Sequence, residues 1–341
     1  MSSPTTRSIW LDHPPESIHE KKALQMPLDP KAAKLIRQLK DLGGPALNEM
    51  TPSEARIAAR AFAGFDGNPE PVADVCNRAI PGPGGAIALR IYTPVGGHDR
   101  ALPCLVYYHG GGWVVGDLDG VDTACRALAN RAECRVVSVD YRLAPEHKFP
   151  EPLDDCYAAL EWVVANGPSI GIDPARLAVG GDSAGGNLGA AVCLKARDEA
   201  GPILQMQLLI YPVTNHDFDS VSYRDNGDGY VLTLDKMRWF WDHYLNTVED
   251  GRNPLASPLL APDVSCLPRA FVLTAEFDPL RDEGEDYAVR LREAGVPVRL
   301  TRYDGQIHGF FLRPGLFPVA VTAINDAASE LKAAFAAQPL G

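Results

Sequence analysis

Gly181-Asp182-Ser183-Ala184-Gly185 stands between a short apolar run, Leu177-Ala178-Val179, and a stretch from Asn187 to Arg197 that carries Leu188, Ala191, Val192 and Leu194 at helical spacing. Strand, tight turn and helix therefore follow in order. A serine on such a turn is exposed at the end of a sheet, where a histidine can take its proton, and the flanking glycines permit the bend. Ser183 is thus a candidate nucleophile. The pentapeptide alone arises by chance in roughly one chain in ten of this length at ordinary residue usage. A Gly-rich strand-to-helix turn whose serine merely caps the helix has the same local signature. Partners elsewhere in the chain decide between the two readings.

Outward from this turn, the chain beyond about residue 85 alternates short apolar runs with amphipathic stretches. The strands expected are Ile87 to Tyr92, Leu102 to Tyr108, Arg135 to Asp140, Arg176 to Gly180, Met206 to Tyr211, Ala270 to Thr274 and Val298 to Tyr303. The helices expected between them are Asp122 to Arg131, Leu153 to Asn166, Asn187 to Arg197, Glu283 to Ala294 and Val319 to Phe335. That rhythm predicts an α/β fold, a mostly parallel sheet covered by helices on both faces.

Two segments break it. Residues 1–65 carry helical patterns at Lys31 to Leu42 and Pro52 to Phe65, and residues 214–255 are inserted between two strands. The insert holds Met237, Trp239, Phe240, Trp241 and Tyr244 on a short helix, a set that could line an apolar pocket or glue the insert to the main domain. The remaining residues, 66–213 and 256–341, make the main domain.

Composition narrows the function. With 46% hydrophobic and 22% charged residues, the 341-residue chain can bury a large core. A formal charge of −12 argues against nucleic acid and anionic membranes as partners. No apolar run approaches the roughly 18 residues of a membrane span, and the first residues, through Asp12, His13 and Glu16, lack a signal-peptide core; the chain reads as cytoplasmic. Seven cysteines at scattered spacings, with no Cys-x-x-Cys pair, read as small core hydrophobes, and the eight histidines show no metal-binding spacing. No metal or cofactor is implied.

Three further elements supply the chemistry. After Leu105-Val106-Tyr107-Tyr108 comes His109-Gly110-Gly111-Gly112-Trp113. Consecutive glycines at a strand end let backbone N–H groups turn toward an oxyanion, and a loop of this type forms the oxyanion hole of lipases and esterases together with the N–H of the residue after the nucleophile, here Ala184. A phosphate-binding turn is the weaker reading, because the Lys-Ser/Thr pair that opens the helix of such loops is missing. The acid and base should then follow the serine in the order Ser, Asp/Glu, His. The strand ending at Thr274 runs into Glu276-Phe277-Asp278-Pro279-Leu280-Arg281-Asp282, and the strand ending at Tyr303 runs into Gln306-Ile307-His308-Gly309-Phe310. His308 is the candidate base. Asp278, just past its strand end, is the candidate acid; Glu276 and Asp282 are its rivals, with Asp282 better suited to the first turn of the following helix. His109 is assigned to holding the glycine loop.

On these motifs the chain resembles the bacterial hormone-sensitive-lipase-like carboxylesterases of the α/β-hydrolase fold. His109 to Trp113 match that family's oxyanion motif, Gly181 to Gly186 its nucleophile motif, Asp278 to Asp282 its acid motif and His308 to Phe310 its histidine motif; Asp140 to Glu146 match a further structural signature. The resemblance implies hydrolysis of short- to medium-chain acyl esters of small molecules through a Ser183, His308 and Asp278 triad, with oxyanion donors from Gly111, Gly112 and Ala184. It also implies no cofactor, a helical cap formed by the N-terminal residues and the 214–255 insert, and often a homodimer. A lipase acting on long chains at an interface is the enzymatic alternative; Asp217, Asp219, Asp225 and Asp228 in the insert argue against a membrane-facing lid. Plant hormone receptors share the fold and bind a small ligand without turnover, but they lack the histidine that His308 supplies here.

Overall fold

The computed structural model describes residues 27–60, 65–97 and 100–337. The first residues and the end of the expected helix from Pro52 fall outside that range. Among the described residues eight strands form one sheet: β1 (Asp74–Gly82), β2 (Gly85–Thr93), β3 (Leu102–Tyr108), β4 (Arg135–Asp140), β5 (Ile172–Asp182), β6 (Met206–Ile210), β7 (Arg269–Phe277) and β8 (Val298–Ile307). Their spatial order is β1-β2-β4-β3-β5-β6-β7-β8. The β1–β2 and β2–β4 pairings are antiparallel and the five from β4 to β8 are parallel.

Alternation along the strands splits the core in two. Val106 of β3 and Val137 of β4 face one way, into a core completed by α4 (Glu151–Asn166), α5 (Ala184–Asp198) and α8 (Arg281–Glu293). Leu105 and Val136, one residue earlier on each strand, face α3 (Asp122–Ala132), α9 (Pro318–Ala336) and Ala32 and Leu35 of α1 (Pro30–Leu42). Each central strand is therefore apolar on both faces, which is why β3 and β6 are buried at every residue.

Seven of the eight strands match the expected ones. The eighth, β1, is an edge strand whose Asp74, Asn77, Arg78 and Pro81 offer no apolar alternation, so no pattern announces it. Helix α5 begins at Ala184, three residues before the apolar periodicity, because the low-propensity Gly185 and Gly186 fill its first turn. The reason is close packing: a Cβ on Gly185 would meet the Tyr108 and His109 carbonyl oxygens closer than 3.0 Å. The 214–255 segment contains two helices, α6 (Val221–Asn226) and α7 (Leu234–Tyr244), and α2 (Pro52–Arg60) lies near the N-terminus. Of the cysteines, five are buried, Cys76 is half-buried and Cys266 is exposed, so Cys266 is no core hydrophobe.

Candidate active site

The C-terminal ends of parallel strands gather loops on one edge of such a sheet. Here β3 leads into the glycine loop, β5 into Ser183, β7 into Asp278 and β8 into His308. Ser183 has φ +56°, a backbone conformation that side chains with a Cβ rarely adopt. The turn is held there by its own hydrogen bonds: Ser183 N–H donates to Ile210 O at 2.8 Å, and Asn187 N–H to Ser183 O at 3.0 Å.

His308 Nε2 lies 3.0 Å from Ser183 Oγ, and His308 Nδ1 lies 2.7 Å from Asp278 Oδ2. Asp278 is fully buried, and its second oxygen, Oδ1, accepts from Leu280 N–H at 2.9 Å. The rival carboxylates are engaged elsewhere. Glu276 Oε2 accepts from Gly305 N–H at 2.6 Å, bracing the histidine loop, and Asp282 accepts from Ser222 N–H at 2.7 Å while pairing with Arg281. The ring of Tyr211 packs at 4.5 Å from the His308 ring.

The glycine loop is pinned along its length. Tyr141 donates its hydroxyl to His109 O at 2.7 Å and stacks on the His109 ring at 4.3 Å. Gly110 N–H donates to Asp182 Oδ1 at 3.0 Å, and Ala144 N–H to Trp113 O at 2.9 Å. From α2, Arg56 reaches Val114 O and Ala144 O at 2.9 Å each. Gly111 and Gly112 have φ of +112° and +57°, the conformations for which glycine is suited. Ala184 is the first residue of α5, so its N–H has no partner within the helix.

From α7, the Phe240 ring sits directly over Gly112, where a Cβ would meet it closer than 3.0 Å. Tyr244 stacks on Trp113 at 4.1 Å, and Trp241 lies 4.6 Å from the same ring. Phe240, Trp241 and Tyr244 thus pack against the glycine loop and Trp113, whereas Trp239 stays half-buried beside Phe240.

No motif or spacing assigns a role to Tyr107, Tyr211 or Asn226 individually, and Tyr141 is marked only as part of the Asp140 to Glu146 signature. Asn226 Nδ2 reaches Glu276 O at 3.2 Å and Asp278 O at 3.3 Å, so α6 supports the acid loop. The partners of these residues are far away in sequence; the local signals are the position of Tyr107, two residues before the glycine motif, and that of Tyr141 inside the Asp140 to Glu146 signature. Among the described residues no helix is long and apolar enough to cross a membrane.

The chain is similar in sequence and fold to known proteins. A family model described as the alpha/beta hydrolase fold matches residues 105–312. The carboxylic ester hydrolase LipN of Mycobacterium tuberculosis is 44% identical over 286 residues, covering 82% of this chain and 75% of that protein. An arylesterase of Saccharolobus solfataricus is 37% identical over 295 residues, covering 85% and 94%. The crystal structure of an alpha/beta hydrolase enzyme from the metagenome of Lake Arreo superposes with a TM-score of 0.88 at 42% identity, covering 91% of this chain and 99% of that one. With its mostly parallel eight-stranded sheet and its four motifs on the loops at one edge, the chain belongs to the α/β-hydrolase fold family, in its hormone-sensitive-lipase-like carboxylesterase branch.

Proposed function

We propose that the protein is a carboxylesterase that hydrolyses short- to medium-chain acyl esters of small molecules through an acyl-enzyme on Ser183. The observation that carries this reading is the unbroken hydrogen-bond chain from Ser183 Oγ through His308 to the buried Asp278, at 3.0 and 2.7 Å. Relatives named carboxylic ester hydrolase and arylesterase support the reaction type.

In this mechanism Ser183 Oγ attacks the ester carbonyl carbon as its proton passes to His308 Nε2. Asp278 fixes the ring with Nδ1 protonated and stabilises the imidazolium that forms. The carbonyl oxygen becomes an oxyanion that accepts hydrogen bonds from the N–H groups of Gly111, Gly112 and Ala184, each donor contributing on the order of 10²–10³ in rate. His308 returns the proton to the departing alkoxide. Water, deprotonated by the same histidine, then attacks the acyl carbon and frees Ser183.

Residues 1–65 and 214–255 would form a cap over this site, with 66–213 and 256–341 as the catalytic domain. Four large apolar side chains of α7, Met237, Phe240, Trp241 and Tyr244, are buried, which favours a small-ester pocket over an interfacial lid. The test is steady-state hydrolysis of p-nitrophenyl acetate, butyrate, octanoate and palmitate. Wild type should turn over the shorter esters, and Ser183→Ala should lose activity by on the order of 10⁶, as other serine hydrolases do. No turnover of any ester by folded wild type would refute the proposal, and a preference for palmitate would make the enzyme a lipase.

A further inference from the structure

The proposed reaction uses Ser183 and Ala184 of the pentapeptide and leaves Asp182 without a role. Yet Asp182 is a carboxyl group buried between the nucleophile turn and the glycine loop, only 4% exposed, on the last residue of β5. A buried carboxylate costs several kcal/mol unless donors compensate it. Burial pushes the Asp182 pKa up, and its neighbours oppose that shift: the Tyr107 hydroxyl, His109, the Gly110 N–H and His308.

The geometry is specific. Asp182 Oδ1 accepts from Tyr107 Oη–H at 2.9 Å and from Gly110 N–H at 3.0 Å. Tyr107 is itself fully buried, and its pKa is pushed far above the ordinary phenol range, so it remains a donor. The backbone of Gly110 is pressed so closely on the carboxylate that a Cβ at that residue would collide with Asp182. Gly110 is the residue that leads the chain into Gly111 and Gly112. His109 O, held by Tyr141, and Gly110 N–H, held by Asp182, are the two ends of one peptide group, so the plane through which the chain enters the oxyanion loop is held from both sides.

We infer that Asp182 is a positioning residue: its carboxylate, braced by Tyr107, fixes the Gly110 N–H and thereby aims the Gly111 and Gly112 amides at the oxyanion of the tetrahedral intermediate. This rests on the proposed esterase reaction and adds to it the element that holds the oxyanion hole rigid. Misplacement of such donors by about 1 Å can cost around 10² in rate. The ester ground state carries no oxyanion, so substrate binding is spared.

The test compares wild type with Asp182→Ala, Asp182→Asn and Tyr107→Phe, using p-nitrophenyl butyrate for kcat and KM, thermal denaturation for folding, and an alkyl trifluoromethyl ketone as inhibitor. Ser183 Oγ adds to the carbonyl carbon of that ketone, the serine proton passes to His308 and the carbonyl oxygen becomes an oxyanion, so its affinity reports the oxyanion hole directly. Asp182→Ala should lower kcat by about 10- to 100-fold with KM changed less than about threefold, and should weaken the ketone by the same factor as kcat. Asn at 182 keeps an oxygen that accepts both bonds and should restore kcat and ketone affinity to within about fivefold of wild type. Tyr107→Phe should reduce both by about two- to tenfold, and with the Asn variant it keeps the inference testable if the Ala variant does not fold.

Wild-type kcat in folded Asp182→Ala, a kcat loss without loss of ketone affinity, or an Asn variant as impaired as the Ala variant would each overturn the inference. The last result would assign the effect to charge rather than aim. These failures are distinct from failure of the esterase reading, which would show as no ester hydrolysis by wild type at all.

Discussion

Replacing Gly112 with alanine should test the oxyanion loop and the insert at once. The residue has φ +57°, where an L side chain costs about 1–2 kcal/mol. The new methyl group would also land inside the Phe240 ring, and overpacking of this kind costs about 1–3 kcal/mol more. If the loop holds its place, these add to about 2–5 kcal/mol of lost stability, which lowers Tm by about 3–7 °C at an unfolding entropy near 2.1 cal/mol/K per residue. If the loop instead shifts to relieve the clash, the Gly112 amide leaves its aim and kcat falls by about 10²–10³.

Either way the loss should be traceable to the ring. In a double-mutant cycle, Phe240→Ala alone removes a buried aromatic side chain and costs about 3–5 kcal/mol, but Gly112→Ala added to it should then cost only the backbone term. The expected coupling is at least about 1 kcal/mol. Differential scanning calorimetry and p-nitrophenyl butyrate kinetics on the four proteins measure both quantities. Gly112→Ala with the Tm and kcat of wild type, or strict additivity with Phe240→Ala, would refute the reasoning.

The acid assignment separates cleanly by isosteric variants: Asp278→Asn should lower kcat by on the order of 10⁴ because the ring loses its tautomer-fixing acceptor, whereas Glu276→Gln, which still offers an oxygen to Gly305 N–H, should stay within about tenfold of wild type. Steady-state kinetics decides, and the reverse pattern would make Glu276 the acid. Ser183→Ala should keep the circular dichroism spectrum of wild type while losing turnover; an unfolded variant would show that the strained turn depends on the hydroxyl. Burial raises the Asp66 pKa to about 6, with Arg313 beside it opposing the shift. The folded state then holds that proton more tightly than the unfolded chain, where the carboxyl titrates near about 4. Asp66 therefore contributes most at low pH, and its contribution falls as pH rises from about 4 to about 6. Urea unfolding across that window should show the slope in wild type relative to Asp66→Asn, and parallel curves would contradict it.

Much of this architecture was readable because parallel strands are buried on both faces and announce themselves as continuous apolar runs. Leu102 to Tyr108 and Arg135 to Asp140 were bounded at the residues where β3 and β4 begin and end. Ser183, Asp278 and His308 were placed on loops after strands by the pentapeptide and by the chain order Ser, Asp/Glu, His. Among Glu276, Asp278 and Asp282, the place of Asp278 just past its strand end made it the candidate, while the contact itself depends on the path of the chain over two or three residues. Not legible was α6, a six-residue helix with few apolar contacts, whose start is set by Ser220 accepting from Tyr223 N–H rather than by periodicity. The supporting residues were the least visible. Tyr107 and Asp182 are 75 residues apart, and their contact exists only because β3 and β5 are neighbours in the sheet.

The 214–255 insert is bonded directly to the loops that carry the site residues. Buried Glu283, whose pKa burial pushes well above the usual carboxylate range, accepts from Thr214 N–H at 2.7 Å and Asn215 N–H at 3.2 Å at the start of the insert. Asn226 holds the acid loop, and from α7 both Tyr244, which stacks on it, and the tilted Trp241 pack against Trp113. An insert that only shaped the substrate pocket would alter KM and chain-length preference and leave the turnover of a small ester untouched. These contacts require the opposite. Tyr244→Ala removes a fully buried ring stacked on the residue that follows the oxyanion glycines, so it should cost about 3–5 kcal/mol of stability. It should also lower kcat for p-nitrophenyl acetate, whose acyl group is too short to need the insert, by about tenfold or more as the Trp113 end of the loop loosens. A Tyr244→Phe control keeps the stack and should restore both. Full acetate turnover by a folded Tyr244→Ala enzyme would show that the insert and the oxyanion loop work independently.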